Sequence, residues 1–213
     1  MQSNTIVDIE NNDAVKKILA IAAISNNSEL QHNQQNNTYE LIGDPTEGAL
    51  SVLARKGGIN EENLNAYKID DLPFDSNIKL RATLSNYFDD QELFITGAPE
   101  QLLERSNYVL TNNGVEKLSS DERVQIQNKI AEWSNNAMRV IALAFKKDSN
   151  TSINTNNLND LVFAGLTGMI DPPRPDAKLA VEKCKRSGIR VVMVTGDHIN
   201  TAIAIAKASG ILD

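Results

Sequence analysis

The chain predicts an α/β fold: an antiparallel sheet with helices in a larger first part, then a strand–helix alternation in a smaller second part. Three observations carry this expectation. Up to about residue 160, short apolar strands are interleaved with capped amphipathic helices. Beyond that point the order is strand, helix, strand, helix, at Leu161–Ile170, Pro175–Ser187, Ile189–Val194 and Ile199–Ser209, which is the grammar of a parallel sheet with covering helices. Finally, 213 residues with 41% hydrophobic content suffice for a buried core, in one large domain or two small ones. The expected domains are 1–160 and 161–213, with the change of character at the asparagine-rich stretch Asp148–Asn159. Two parallel strands cannot bury both faces, so the second part reads as the truncated start of a larger Rossmann-like unit.

Each element has a local reason. Asp13–Ser25 spaces its apolar residues as a helix does, with Asn12 or Asp13 as the cap. Ser25–Thr38 (SNNSELQHNQQNNT) is polar and reads as a surface loop. Asp44-Pro45-Thr46-Glu47 opens a helix: Asp44 caps, Pro45 fits the first position, and Glu47 can reach back as in a capping box. Gly57 and Gly58 close it. Tyr67–Phe74, Ile78–Phe88 and Glu92–Thr96 are expected strands, the last two a hairpin around Asp89-Asp90. Ala98–Arg105 reads as a short helix, Tyr108–Leu110 as a strand and Asn113-Gly114 as a tight turn. Ser120–Asn135 follows as a long amphipathic helix and Arg139–Lys146 as a strand.

Composition narrows the function classes. Twenty-one Lys and Arg against 28 Asp and Glu leave a net charge of −7, so nucleic acid is not an expected partner. An aromatic share of 5% argues against a carbohydrate groove or a single-strand stacking platform. The one cysteine, Cys184, excludes an internal disulfide framework and a cysteine-built zinc cage, and His32 and His198 lie far apart. No apolar stretch approaches the ~20 residues of a membrane span. The start lacks a basic segment followed by an apolar one. The expectation is a chain on the cytoplasmic side, any membrane part lying elsewhere.

Val192–Asp197 sets Thr195, Gly196 and Asp197 at the carboxyl end of an expected strand leading into a helix. Open α/β sheets bind ligands there, and a helix amino end favours phosphate. Asp197 as a simple helix cap is the plain alternative. Taken with Gly43–Leu50 (GDPTEGAL), Leu72–Ser76 (LPFDS), Gly97–Glu100 (GAPE), Met138–Phe145 (MRVIALAF), Asp171–Pro175 (DPPRP) and Met193–Ile211 (MVTGDHINTAIAIAKASGI), these words resemble, in order, the P-type cation-transporting ATPases.

The resemblance implies the cytoplasmic nucleotide-binding domain of such a pump, followed by the start of the second half of its haloacid-dehalogenase-like phosphorylation domain. Neither the DKTGT motif with its phosphorylated aspartate nor the magnesium-holding GDGxND motif occurs in these 213 residues. It therefore implies ATP binding without phosphoryl transfer by this stretch alone, since transfer needs a nucleophile and a magnesium-held phosphate in line. ATP is the implied ligand, with Mg2+ held mainly by other parts. The implied partners are the transmembrane, actuator and remaining phosphorylation domains of a pump, in a membrane such as a bacterial plasma membrane. The words look most like the calcium, sodium and proton pumps, and calcium is the expected ion.

By the same resemblance Phe74 stacks on the adenine, Glu47 lies near its amino group, Lys79 reaches the phosphates, and Arg139 meets ribose or phosphates. Gly97 and Ala98 allow close approach of the backbone to the base. Thr195 touches phosphoryl oxygens, Gly196 belongs to the same turn, Asp197 meets the nucleotide, and Asp171 lies in the hinge. Each has an ordinary structural alternative: a core ring, a cap, a solvated cation, a strand-to-helix turn. One position departs from the pattern. The family carries lysine before the Gly-Ala pair and this chain has Thr96, so Thr96→Lys is expected to tighten binding. A freestanding haloacid-dehalogenase-like hydrolase would need a D-x-D pair after an early strand, but Asp8 is followed by Glu10. A non-enzymatic interaction module with a decayed pocket, Thr96 being its first symptom, is the other alternative.

Overall fold

A computed structural model of the chain describes residues 9–34, 37–59, 67–87, 90–136, 138–148, 150–170, 173–195 and 199–212. Helix α1 (Asp13–Ile24) starts at Asn12, whose side chain accepts the Val15 N–H. The stretch expected as a loop from Ser25 is instead partly strand. β1 (Glu29–Asn33) pairs antiparallel with β2 (Thr38–Ile42), and Ser25 and Asn26 are buried. Its polar side chains hid the pairing, because a two-stranded ribbon open to water on one side needs no apolar alternation.

Helix α2 (Pro45–Lys56) begins as expected: Asp44 accepts from the N–H groups of Thr46 and Glu47. Gly57 caps the other end, and Gly58 follows at φ +84°, the left-handed value glycine tolerates. Then come β3 (Lys68–Asp75), β4 (Leu80–Ser85), β5 (Glu92–Gly97), α3 (Pro99–Arg105), β6 (Ser106–Thr111) and β7 (Gly114–Lys117). Strand β7, not expected from the sequence, pairs with β6 across a turn that has Gly114 at φ +112°. Helix α4 (Ser120–Asn135) opens with a reciprocal capping box. Glu122 accepts from the Ser119 N–H and hydroxyl, and Ser119 Oγ accepts from the Glu122 N–H. Strands β8 (Arg139–Lys147) and β9 (Leu161–Met169) complete one seven-stranded sheet in the order β3-β4-β5-β8-β9-β6-β7.

The sheet is mixed rather than antiparallel, because β6 and β9 run parallel. Strand β9 does not open a separate parallel sheet. It lies between β8 and β6. The chain divides into two compact units, residues 1–123 with 141–167 and residues 124–140 with 168–213. In the first, α1 and α2 cover one face of the sheet. Ile21, Ala22, Ile24, Leu50 and Ala54 pack on Phe94, Leu143 and Phe145.

The second unit contains α5 (Pro175–Arg186) and α6 (Ile199–Ala208), each followed by a glycine at positive φ, Gly188 and Gly210. The strand expected at Ile189–Val194 is not formed. The segment carries no ladder, and Val194 is 92% exposed. A strand is held by the ladder that a neighbour completes, and no described strand pairs with this segment.

Candidate functional site

Several of the expected residues converge at one end of β3, β4 and β5. The register of β3 on β4 passes from Leu72 opposite Ala82 to Asp75 opposite Leu80. Pro73 and Phe74 therefore stand across from the single residue Arg81, a β-bulge of the kind that re-aims side chains beside binding sites. Arg81 is in turn opposite Thr96 on β5, and Thr96 opposite Leu143 on β8. Phe74, Arg81 and Thr96 thus form one row across three strands about 4.8 Å apart. Phe74 is 56% exposed, whereas Arg81 is 3% and Thr96 5% exposed.

The turn between β3 and β4 carries Lys79. Asp75 accepts from the Asn77 N–H with its carboxylate and from the Lys79 N–H with its carbonyl. Lys79 sits at φ +55°, an uncommon conformation for a residue with a Cβ, and it is exposed. Its carbonyl accepts from Ala98 N–H at 3.0 Å, joining the turn to the end of β5. Gly97 is required at that junction, since a Cβ there would lie 2.4 Å from the Lys79 carbonyl oxygen and 2.9 Å from Leu80 Cα. The absent side chain serves this strand contact.

Glu47 joins the group from α2. Expected to reach back to its own cap, it directs one carboxylate oxygen to the Asn27 N–H at 2.8 Å and the other to Arg81 at 3.0 Å. The same guanidinium donates to both oxygens of Asp71 at 2.7 Å, and Asp71 also accepts from the Thr83 hydroxyl. Lys68 donates to the Asn26 carbonyl and Asn27 Oδ1. Burial pushes its ammonium below the ordinary lysine range; Asp71 and Glu47 pull the other way, and Arg81 adds to the depression. Two carboxylates and two cations therefore balance at the covered side of the row. Thr96 donates its hydroxyl to the Ser25 carbonyl at the end of α1, at 3.4 Å.

Glu47, Phe74, Lys79, Thr96, Gly97 and Ala98 are brought together in this way. Arg139 and Thr195 belong to the second unit, Arg139 at the start of β8 and Thr195 directly after Ile189–Val194. Asp171, Gly196 and Asp197 lie outside the described residues. Reading the sequence missed Arg81 and Asp71. Period-two alternation puts Arg81 on one face with Thr83 and Ser85, which looks like a solvated face. The packing of α1 and α2 makes it a buried one. Among the described residues no three His, Cys, Asp or Glu side chains are placed to hold a metal. The arrangement suits a flat, uncharged ring against Phe74 and an anionic group within reach of Lys79.

The chain matches the family model described as P-type ATPase, cytoplasmic domain N, over residues 14–176, and so belongs to the P-type ATPase family. It is 35% identical over 206 residues to a calcium-transporting ATPase of Bacillus subtilis, covering 94% of this chain and 23% of that protein. A cation-transporting ATPase, pma1, of Synechocystis is 37% identical over 202 residues, covering 92% and 22%. The endoplasmic reticulum-type calcium-transporting ATPase 3 of Arabidopsis thaliana is 32% identical over 219 residues, covering 90% and 22%. The chain spans about a quarter or less of the length of these relatives. No helix among the described residues is long and apolar enough to cross a membrane.

Proposed function

We propose that this chain is the nucleotide-binding part of a pump that couples ATP hydrolysis to calcium transport. The observation that carries the proposal is the row Phe74–Arg81–Thr96, with an exposed ring at a bulge, an exposed Lys79 beside it and Glu47 at the covered end. Phe74 stacks on the adenine, Glu47 accepts from the base amino group, and Lys79 reaches the phosphates. A carboxylate has about four acceptor sites, so Glu47 can take a further donor beyond Asn27 and Arg81. Magnesium arrives with ATP. Calcium as the ion rests on the names of the Bacillus and Arabidopsis relatives.

The remaining parts of the pump (transmembrane, actuator and phosphorylation domains) are the proposed partners, and a bacterial plasma membrane the proposed setting. Residues after β9 are the proposed start of a haloacid-dehalogenase-like phosphorylation domain, with Asp171 in its hinge and Thr195, Gly196 and Asp197 on its ligand turn. Exposed Ile189, Val192 and Val194 support that reading, since an apolar segment of this kind is expected to be covered by neighbouring strands. Arg139 is proposed to meet ribose or phosphate. Titration of backbone amide shifts with ATP should saturate with a dissociation constant of about 0.1 to a few millimolar. The largest shifts should fall on residues 74–81 and 95–98. Failure to saturate by about 10 mM, or shifts confined elsewhere, would overturn the proposal.

A further inference from the structure

Arg81 is the buried centre of this site, although no expected role falls on it. Its guanidinium bonds Glu47 on α2 and Asp71 on β3, so one side chain ties three elements together. It faces the Pro73–Phe74 bulge on one strand and Thr96 on the other. Its Nε is buried without a hydrogen-bond partner, so the side chain is held by its forked end. A planar fork suits that duty better than a lysine point charge, because both carboxylates are fixed in direction.

Resting on the nucleotide-site reading, we propose that Arg81 is the positioning residue for the base end of the site: it aims Glu47 at the adenine amino group and supplies from β4 the cation that the family's pattern puts at position 96. The charge has moved one strand over. Thr96 is small and neutral because a cation directly opposite Arg81, on the same covered face, would face a like charge. The expected gain from Thr96→Lys is thereby reversed.

Five proteins test this: the natural chain, Thr96→Lys, Arg81→Met, the double variant of these two and Arg81→Lys, each titrated with ATP and with inosine triphosphate, which lacks the amino donor. Arg81→Met should weaken ATP binding about 5- to 10-fold and erase the preference for ATP over inosine triphosphate. Thr96→Lys alone should lower the unfolding temperature without tightening ATP. The double variant should recover ATP affinity to within about threefold of the natural chain, a coupling that independent sites do not give. Arg81→Lys, which keeps charge but not the fork, should retain stability better than Arg81→Met while losing base preference. Tightening by Thr96→Lys alone, or additive effects in the double variant, would overturn the proposal. If the natural chain bound no nucleotide, the functional reading would fail by itself. The unfolding temperatures would still decide the coupling: Thr96→Lys must destabilise beside Arg81 and be tolerated beside Arg81→Met.

Discussion

Replacing Phe74 with alanine separates binding from folding, because the two effects fall on different sides of the same ring. The ring is 56% exposed, so less than half of its surface is removed from water by the fold. Full burial of a phenylalanine is worth about 1.5–3 kcal/mol, and Phe74→Ala should therefore cost about 1 kcal/mol of stability or less. Phe94, fully buried in the same sheet, should cost about 3–5 kcal/mol on the same change. For nucleotide binding the order reverses. Stacking of a base on an aromatic ring contributes about 1–3 kcal/mol, so Phe74→Ala should weaken ATP roughly 5- to 150-fold. Amide-shift titration gives the affinity and a thermal melt gives the stability. Phe74→Trp should bind at least as well as the natural chain. An affinity for ATP within twofold of the natural chain in Phe74→Ala, with an unchanged melt, would refute the assignment of this ring to the base.

Gly97→Ala should destabilise by about 1–3 kcal/mol and weaken ATP, because the new Cβ meets the Lys79 carbonyl and the Leu80 backbone, which cannot turn aside. Gly48→Ala is the contrasting case: the atoms nearest its Cβ belong to the side chain of Leu41, which is 40% exposed and can turn aside, so stability should stay within about 0.5 kcal/mol or improve. Asp44→Ala removes two accepted hydrogen bonds at the start of α2 and should cost about 1 kcal/mol in chemical unfolding. The Glu122 carboxyl is held below its ordinary value of 4.5 by the Ser119 hydroxyl and N–H. A depressed carboxylate stabilises the fold above the unfolded value and loses that contribution as pH falls through the folded one. Protection of the amides in the first turn of α4, taken relative to the intrinsic exchange rate at each pH, should therefore fall below pH 4.5, and Glu122→Gln should remove that fall. Protection with the same pH profile in both proteins would count against the box.

Local chemistry settled much of this chain from sequence alone. Asn12 and Asp44 cap their helices, Gly57 with Gly58 ends α2, period-two alternation marks β4 and short apolar runs mark β5 and β8, because each depends on a few residues near in sequence. The Ser119–Glu122 box is equally local, a Ser-x-x-Glu before a helix. The family words were legible too, and so were the ring, the lysine and the Gly-Ala pair now proposed for the site. What depended on distant partners was not. A strand exists only if a neighbour completes its ladder, so polar Glu29–Asn33 became a strand and apolar Ile189–Val194 did not. Whether β9 paired with β6 or founded another sheet was a choice between partners some fifty residues apart. The site's charge centre is the clearest case. Arg81 lies in an alternation that looks solvated from sequence. Only the helices laid over that face, and the register that put it between the Phe74 bulge and Thr96, made it a buried cation shared by Glu47 and Asp71. Burial and register are properties of the assembled sheet, and no window of the sequence contains them.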